Sequence, residues 1–427
     1  MGVVLLFGVM LILLTISVPI GLAVGGATIL TFLVFSEMPM TVIAQYSVAG
    51  LDSFPIMAIP FFIMAGTLMS LGGIARRIVD TAAAFVGFVT GGLGAVVAVA
   101  SMFFAAISGS AVATVAAIGG FMVPEMTKKG YAVGYSAALT ACAGTVGVII
   151  PPSVPLVIFG VVTQTSIGDL FIAGIIPGIC ICIGMVVANY ICCKKNGFQP
   201  AVRKSEQDGK NSTLKMLWEA KWALFSPFII LGGIYGGIFT PTEAAVVSVV
   251  YSIIVSLFIY KELNLKGLYA AIVDTAVVNG ITSYLLGVSS AFAAYLSLEK
   301  VPAMLFDLLT SLTDNKYILL IIINLALLII GMFVDNIPAT IIISPILLPV
   351  VTSLGMSPIT FGIMLTINLT IGLVTPPYGC NLFVAGAVAG IKMENMVRYL
   401  WPFLIALTAV LFATTYIPQL TMVLLHG

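Results

Sequence analysis

Histidine is nearly absent from this chain, occurring only as His426 beside the C-terminal glycine. Histidine-based acid–base catalysis, histidine metal sites and histidine proton relays are thereby excluded. Charge is also scarce: Asp, Glu, Lys and Arg make up 8% of the residues, where soluble domains carry about 25%. The net charge is +1, so there is no basic field for nucleic acid. The six cysteines, Cys142, Cys180, Cys182, Cys192, Cys193 and Cys380, never form a CxxC. They read as small buried hydrophobes, not as disulfides or transition-metal ligands. Walker A, HExxH and GxSxG motifs are all missing. That removes ATP drive and two large classes of hydrolase chemistry, so neither an enzyme nor an organic cofactor is expected. Residues 1–35 are apolar but lack a basic leading region, and read as structure, not as a cleaved signal.

What the chain has in abundance is apolar surface, with 61% hydrophobic residues and a mean hydropathy of +1.21. No soluble core could bury that much, so the lipid bilayer is its solvent and the fold class is an all-α polytopic membrane protein. A β-barrel would need short alternating strands instead of continuous runs. Apolar stretches cover residues 1–35 (interrupted near Pro19), 54–71, 91–126, 131–165, 170–193, 223–260, 268–298, 317–350, 358–390 and 395–425. Residues 76–86 and 301–312 read as amphipathic pieces. The one long polar loop, 196–221, carries Arg203, Lys204, Lys210, Lys215 and Lys221, with Lys194 and Lys195 at its edge. The excess of positive charge places it in the cytoplasm.

The second half repeats the first at an offset of 225 residues. Pro124 falls on Pro349, Gly130 on Gly355, Thr145 on Thr370, Gly147 on Gly372, Pro151-Pro152 on Pro376-Pro377 and Pro177 on Pro402. Residues 91–126 are too long for one crossing and have only Ser108-Gly109-Ser110 at their middle, which suits a re-entrant hairpin. Residues 317–350 break likewise at Asp335-Asn336. Counting crossings from the basic clusters gives ten spans, two re-entrant hairpins, both termini outside, and two halves of inverted orientation.

Four irregular points then converge near mid-membrane: two hairpin tips and two double-proline breaks. A double proline cannot continue a helix. Each junction joins an arriving half-helix with free carbonyls to a departing one with free N–H groups. Such ends offer oxygens to a hard cation and donors to an anion. Ser110, Ser153 and Asp335/Asn336 stand at N-cap positions, and Pro155 and Pro338 suit first turns. Ser108, Ser110, Ser153 and Asn336 also have a purely structural reading as caps. Thr145, Thr370 and Thr375 also have one, by bonding back to the preceding turn. Asp335, an acid at mid-membrane depth, has little structural reason to be there. Asp52, Asp169, Asp274 and Glu394 fall near the expected interfaces, and Glu243 at a helix break is ambiguous. With no histidine and no mid-membrane Lys or Arg, a proton chain lacks members, so Na⁺ is the expected coupling ion.

Together the motifs SGS at 108–110, GxxIPPS at 147–153, DNIPA at 335–339 and GxxTPPYG at 372–379 resemble the large membrane subunit of tripartite ATP-independent periplasmic (TRAP) transporters, over the whole chain. The resemblance implies an elevator-type carrier in the bacterial inner membrane, driven by Na⁺ and importing a small organic (carboxylate) acid. It implies scaffold spans with amphipathic arms at 1–90 and 222–315, moving-domain parts at 91–195 and 316–427, and a cytoplasmic linker at 196–221. It also implies two partners. One is a small four-helix membrane subunit, expected as a separate chain because the sequence begins directly in its first span. The other is a periplasmic substrate-binding protein. Within the family the sequence is most similar to the sialic-acid branch. That implies substrate contacts from Ser108, Ser153 and Asp335. Sodium is expected at oxygens around the tips and breaks: Ser108, Gly109, Ser110, Thr145, Gly147 and Pro151 in one half, and Asp335, Asn336, Thr370, Gly372, Thr375 and Pro376 in the other. Residues 147–153 should face the first tip and residues 372–378 the second, with substrate between. The alternatives are a self-sufficient Na⁺/dicarboxylate symporter, whose usual Ser-Asn-Thr tips are absent, and a non-transporting scaffold or channel subunit.

Overall fold

The computed structural model describes residues 1–35, 39–196, 210–313, 315–377 and 379–425. Arg203, Lys204, Tyr378 and His426, all considered above, lie outside the described residues. Within them the chain is helical and has no strand. The helices of the first half are α1 Gly2–Thr15, α2 Ile20–Phe35, α3 Thr41–Ala49, α4 Ala58–Leu71, α5 Ile74–Val86, α6 Gly92–Ser108, α7 Ala111–Lys128, α8 Val133–Ala143, α9 Val154–Thr163 and α10 Ile167–Asn196. Those of the second are α11 Lys210–Tyr235, α12 Pro241–Ile254, α13 Leu265–Leu298, α14 Val301–Leu312, α15 Lys316–Gly331, α16 Asn336–Ser353, α17 Pro358–Gly372, α18 Cys380–Ala389, α19 Glu394–Tyr416 and α20 Gln419–Met422.

Six described helical stretches are long and apolar enough to cross a membrane unaided: Phe54–Leu71, Ile167–Lys195, Pro241–Ile259, Leu265–Leu298, Asn336–Ser353 and Glu394–Tyr416. The other apolar helices hold 10–17 residues. At about 1.5 Å per residue they reach at most about 25 Å, short of the ~30 Å hydrocarbon core. The double prolines account for four of these short helices. They divide what would be one span into Val133–Val148 and Val154–Thr163, and another into Pro358–Gly372 and Cys380–Ala389.

The repeat seen in the sequence extends to helix boundaries. Adding 225 to the ends of α7, Ala111 and Lys128, gives Asn336 and Ser353, the ends of α16. The same shift moves the start of α8, Val133, onto Pro358, the start of α17. Between these helices Gly130 and Gly355 both have positive φ, +86° and +84°, a conformation that glycine adopts without a Cβ penalty. Both double prolines contain a cis peptide bond.

One expectation needs correction. The loop foreseen at 196–221 is shorter, because α11 already begins at Lys210. The run Leu214-Lys215-Met216-Leu217-Trp218-Glu219-Ala220-Lys221 consists almost wholly of strong helix formers, and that propensity overrides its charge as a loop signal. Glu243, left ambiguous by sequence, is a cap. Its carboxylate accepts from the Thr240 backbone N–H at 2.8 Å, and Thr240 Oγ1 accepts from Glu243 N–H at 3.3 Å, a reciprocal capping box.

The large core draws on every helix from α4 to α19, and includes Phe62, Phe104, Phe159, Phe171, Phe361 and Phe403. The amphipathic α5 contributes Ile74, Ala75 and Ile78 to it. Two smaller clusters stand apart. One ties α1, α2 and α13 through Leu6, Val24, Phe32 and Phe292. The other ties α4, α12 and α13 through Ala65, Leu68, Val249 and Ala271. Arg77 of α5 pairs with Glu262 at 2.6 Å and lies 3.7 Å over the Tyr260 ring. This contact clasps the first amphipathic arm to the second half.

Candidate functional site

At the first tip, Gly109 ends α6 with φ +61°, and Ser110 caps α7 by accepting from Ala113 N–H at 3.4 Å. Thr114, one turn on, donates to the Ser110 carbonyl at 2.8 Å. With its proton committed, Thr114 Oγ1 must accept in its 3.1 Å bond with Ser108 Oγ. At the first break Ser153 caps α9, accepting from Leu156 N–H at 3.3 Å while donating to the Val148 carbonyl. Thr145 donates to the Cys142 carbonyl at 2.6 Å.

Tip and break are in direct contact. Val154 N–H donates to the Gly109 carbonyl at 3.3 Å. A Cβ on Gly109 would stand 2.7 Å from the Pro152 carbonyl oxygen. One on Gly147 would stand 2.6 Å from both the Ser110 carbonyl oxygen and Thr114 Oγ1. Glycine is needed at both positions because the backbones themselves touch. Ser108, Thr114, Thr145 and Ser153 are all buried. The scaffold side also reaches the tip: a Cβ on Gly66 of α4 would lie 2.9 Å from Ser108 Cα.

The second pair repeats the plan with different side chains. Asp335 caps α16, its carboxylate accepting from Asn336 N–H at 2.8 Å. Unlike the serines of the first half, Asp335 is exposed. Asn336 is buried and points the other way. Its amide donates to Thr370 Oγ1 at 2.9 Å and to the Thr366 carbonyl at 3.4 Å, and its Oδ1 accepts from Thr340 at 3.1 Å. Thr370 donates in turn to the Thr366 carbonyl, and Thr375 donates to the Ile371 carbonyl at 2.7 Å. Gly372 and Gly331 touch backbone to backbone. The second broken helix thus meets the second hairpin at two places, Gly372 against Gly331 and, a turn or more earlier, Thr366 and Thr370 against Asn336.

Thr145, Thr370 and Thr375 all bond back to their own turn, as the structural reading expects. That leaves their oxygens as acceptors, since a hydroxyl has one proton and two lone pairs. Among the described residues no three His, Cys, Asp or Glu side chains converge. A cation held here would draw on hydroxyl and carbonyl oxygens, with the Asp335 carboxylate at the second tip, a donor set that suits a hard ion.

Several buried polar residues escaped sequence reading. Thr114 follows Ser110 by four residues and Thr340 follows Asn336 by four, so an i, i+4 hydroxyl behind each tip was a readable signal. Asn381 donates to the Ala141 carbonyl at 3.3 Å, tying the two broken helices together, and its Oδ1 is buried without a partner. Asn368 donates to Asn324 Oδ1 at 2.8 Å, and Asn324 donates to Thr415 at 3.3 Å. An asparagine within an apolar run was visible, but its partners lie far along the chain.

The family profile described as "Tripartite ATP-independent periplasmic transporter, DctM component" matches residues 7–420. The chain belongs to that family. It is a multi-pass protein of the bacterial inner membrane and a transporter subunit, not an enzyme. The isethionate TRAP transporter permease protein DctMQ of Oleidesulfovibrio alaskensis is 42% identical over 98% of the chain, which spans 65% of that relative's length. The sialic acid TRAP transporter large permease protein SiaM of Vibrio cholerae is 36% identical over 96% of both chains. The 2,3-diketo-L-gulonate TRAP transporter large permease protein YiaN of Escherichia coli is 37% identical over 98% of both. The crystal structure of the Alcanivorax borkumensis YdaH transporter shares the fold, with a TM-score of 0.62 at 12% identity, covering 88% of this chain and 87% of that one.

Proposed function

We propose that this chain carries a small organic acid into the cell against its gradient, driven by Na⁺. Two partners act with it: a small four-helix membrane subunit and a periplasmic binding protein that delivers the cargo. The observation that carries this reading is the pair of tip–break contacts, Gly109 on Pro152 and Asn336 on Thr370. Each brings hydroxyl and carbonyl oxygens together beside helix N-termini, and a scaffold that moved nothing would have no use for four broken helices. Sodium would be held at the oxygens of Ser108, Gly109, Ser110, Thr145, Gly147 and Pro151, and of Asp335, Asn336, Thr370, Gly372, Thr375 and Pro376. The anion lies between the pairs, against Ser108, Ser153 and Asp335, with departing helix N-termini and bound Na⁺ neutralising its charge. Ten crossings in inverted halves, and an elevator movement of hairpins and broken helices along the scaffold, belong with this reading.

Sialic acid is the substrate that the resemblance to the sialic-acid relatives favours. A small sulfonate is the second reading, favoured by the higher identity to the isethionate relative. Reconstitution in liposomes separates the possibilities. Uptake of labelled N-acetylneuraminate is expected only with both partners present and an inward Na⁺ gradient. Uptake by the chain alone would overturn the dependence on a binding protein. Equal uptake under a proton gradient without Na⁺ would overturn the coupling. Uptake of isethionate and not of N-acetylneuraminate would decide for the second reading.

A further inference from the structure

Pro345 and Pro349 both lie inside α16. A proline has no N–H to give to the carbonyl one turn before it. Pro345 therefore leaves the Ile341 carbonyl without its helical donor, and Pro349 does the same to the Pro345 carbonyl. Ile341 and Pro345 both stand in the wall of a cavity of about 340 Å³, a volume within the roughly 300–1,000 Å³ of small-molecule sites. The rest of the wall comes from α13, from the turn after α3 and from the end of α9, and none of the tip and break residues lines it. Gly50 in that turn packs directly on Ser290 of α13, which brings Asp52, two residues on, to the same wall.

One hydroxyl in this wall stands unpaired. Ser289 is 1% exposed, it lines the cavity, and among the described residues its Oγ has no hydrogen-bond partner. A buried hydroxyl left so is unfavourable unless a ligand meets it. The other polar groups are lopsided toward accepting. Ser290 Oγ gives its proton to the Leu286 carbonyl at 2.9 Å and is left with lone pairs. Gln164 gives an amide proton to the Val161 carbonyl at 2.8 Å and keeps its Oε1. The Asp52 carboxylate and the carbonyls of Ile341 and Pro345 accept only. No Lys, Arg or His is among the described residues of the wall. One negative charge, no positive charge and a surplus of acceptors disfavour an anion, and so the organic-acid cargo. They suit a cation with several protons to give. A primary ammonium group, with three donors, is that cation.

We propose that this cavity binds the ammonium group of a primary amine, either a small free amine or a lipid headgroup, with Asp52 and the carbonyls freed in α16 accepting its protons and Ser289 completing the site. Its consequence rests on the proposed function. Asp52, Ser289 and Ser290 belong to the scaffold parts, and Gln164, Ile341 and Pro345 to the moving parts. A bound amine therefore spans the two bodies and holds them against sliding.

The test begins with the purified full chain in detergent. Ethanolamine is expected to raise its unfolding temperature saturably, and ethylene glycol, the neutral counterpart, is not. Asp52→Asn should weaken the response at least about tenfold, and Ser289→Leu, which fills the cavity, should abolish it. Asp52 is exposed, so its variant decides the matter if the Ser289 variant fails to fold. Native mass spectrometry from nanodiscs of phosphatidylethanolamine and phosphatidylglycerol reads the lipid source. Preferential retention of phosphatidylethanolamine, lost in Asp52→Asn, with no response to free ethanolamine would assign the amine to a headgroup. An equal response to ethylene glycol, an unaltered response in Asp52→Asn, or no response from either source would overturn the site. In liposomes holding the chain and both partners, the amine should lower the maximal rate of cargo uptake severalfold at an unchanged KM. A raised KM at an unchanged maximal rate would place the amine in the cargo site and overturn the proposal, and unchanged uptake with the amine bound would overturn its holding role. No cargo uptake by the wild-type assembly without amine would overturn the proposed function, while the detergent titration still decides the cavity.

Discussion

Asn336 donates its side-chain N–H to Thr370 Oγ1 at 2.9 Å. With the longer bond to the Thr366 carbonyl, it joins the second hairpin to the second broken helix from its buried side, while the adjacent Asp335 faces outward. Asn336→Asp removes the donor and leaves a charge in its place. Stability should fall by about 1–3 kcal/mol, read as a lower unfolding temperature in detergent. An unchanged unfolding temperature would mean that the bond carries no weight.

Asp335 invites a different test, because aspartate and asparagine cap helices about equally well. Asp335→Asn should leave the unfolding temperature within experimental scatter and still abolish uptake. Asp335→Ala should lose uptake and, in addition, about 1 kcal/mol of helix capping. Full uptake by either variant would remove this carboxylate from the site.

Two glycines separate packing from movement. On Gly372 a methyl group would fall on the Gly331 backbone, which cannot swing aside. Gly372→Ala should therefore cost at least about 1–3 kcal/mol and abolish uptake. On Gly66 the methyl group would meet the Ser108 backbone at 2.9 Å, across the contact between α4 and the first hairpin. Gly66→Ala should slow uptake severalfold while leaving substrate affinity near normal. Equal loss of affinity and rate would argue against a sliding contact there.

Thr145 spends its proton on the Cys142 carbonyl. Thr145→Ser keeps the acceptor and Thr145→Val removes it. Uptake by the serine variant should follow Na⁺ concentration as wild type does, while the valine variant should need roughly tenfold more Na⁺, the loss of about 1.4 kcal/mol of binding. Identical Na⁺ curves would exclude the threonine oxygen as a ligand.

Much of this architecture was legible because the decisive residues are punctuation. Prolines and glycines dictate backbone course locally, so the 225-residue echo of Gly130, Gly147 and Pro151-Pro152 marked the breaks before any fold was known. The caps at Ser110, Ser153 and Asp335 were legible for the same reason. Partners distant in sequence were not. Asn381 with Ala141, and Asn368 with Asn324 and Thr415, are pairings that only packing creates.

The bond from Asn381 to the Ala141 carbonyl joins a helix of one repeat to a helix of the other. On the proposed function, it bears on thrift with the ion gradient. Two ion pockets free to open independently would let sodium slip through on its own, draining the gradient with no cargo moved. On that reading, a tie between the two broken helices favours their moving as one body, with both pockets filling and emptying in step.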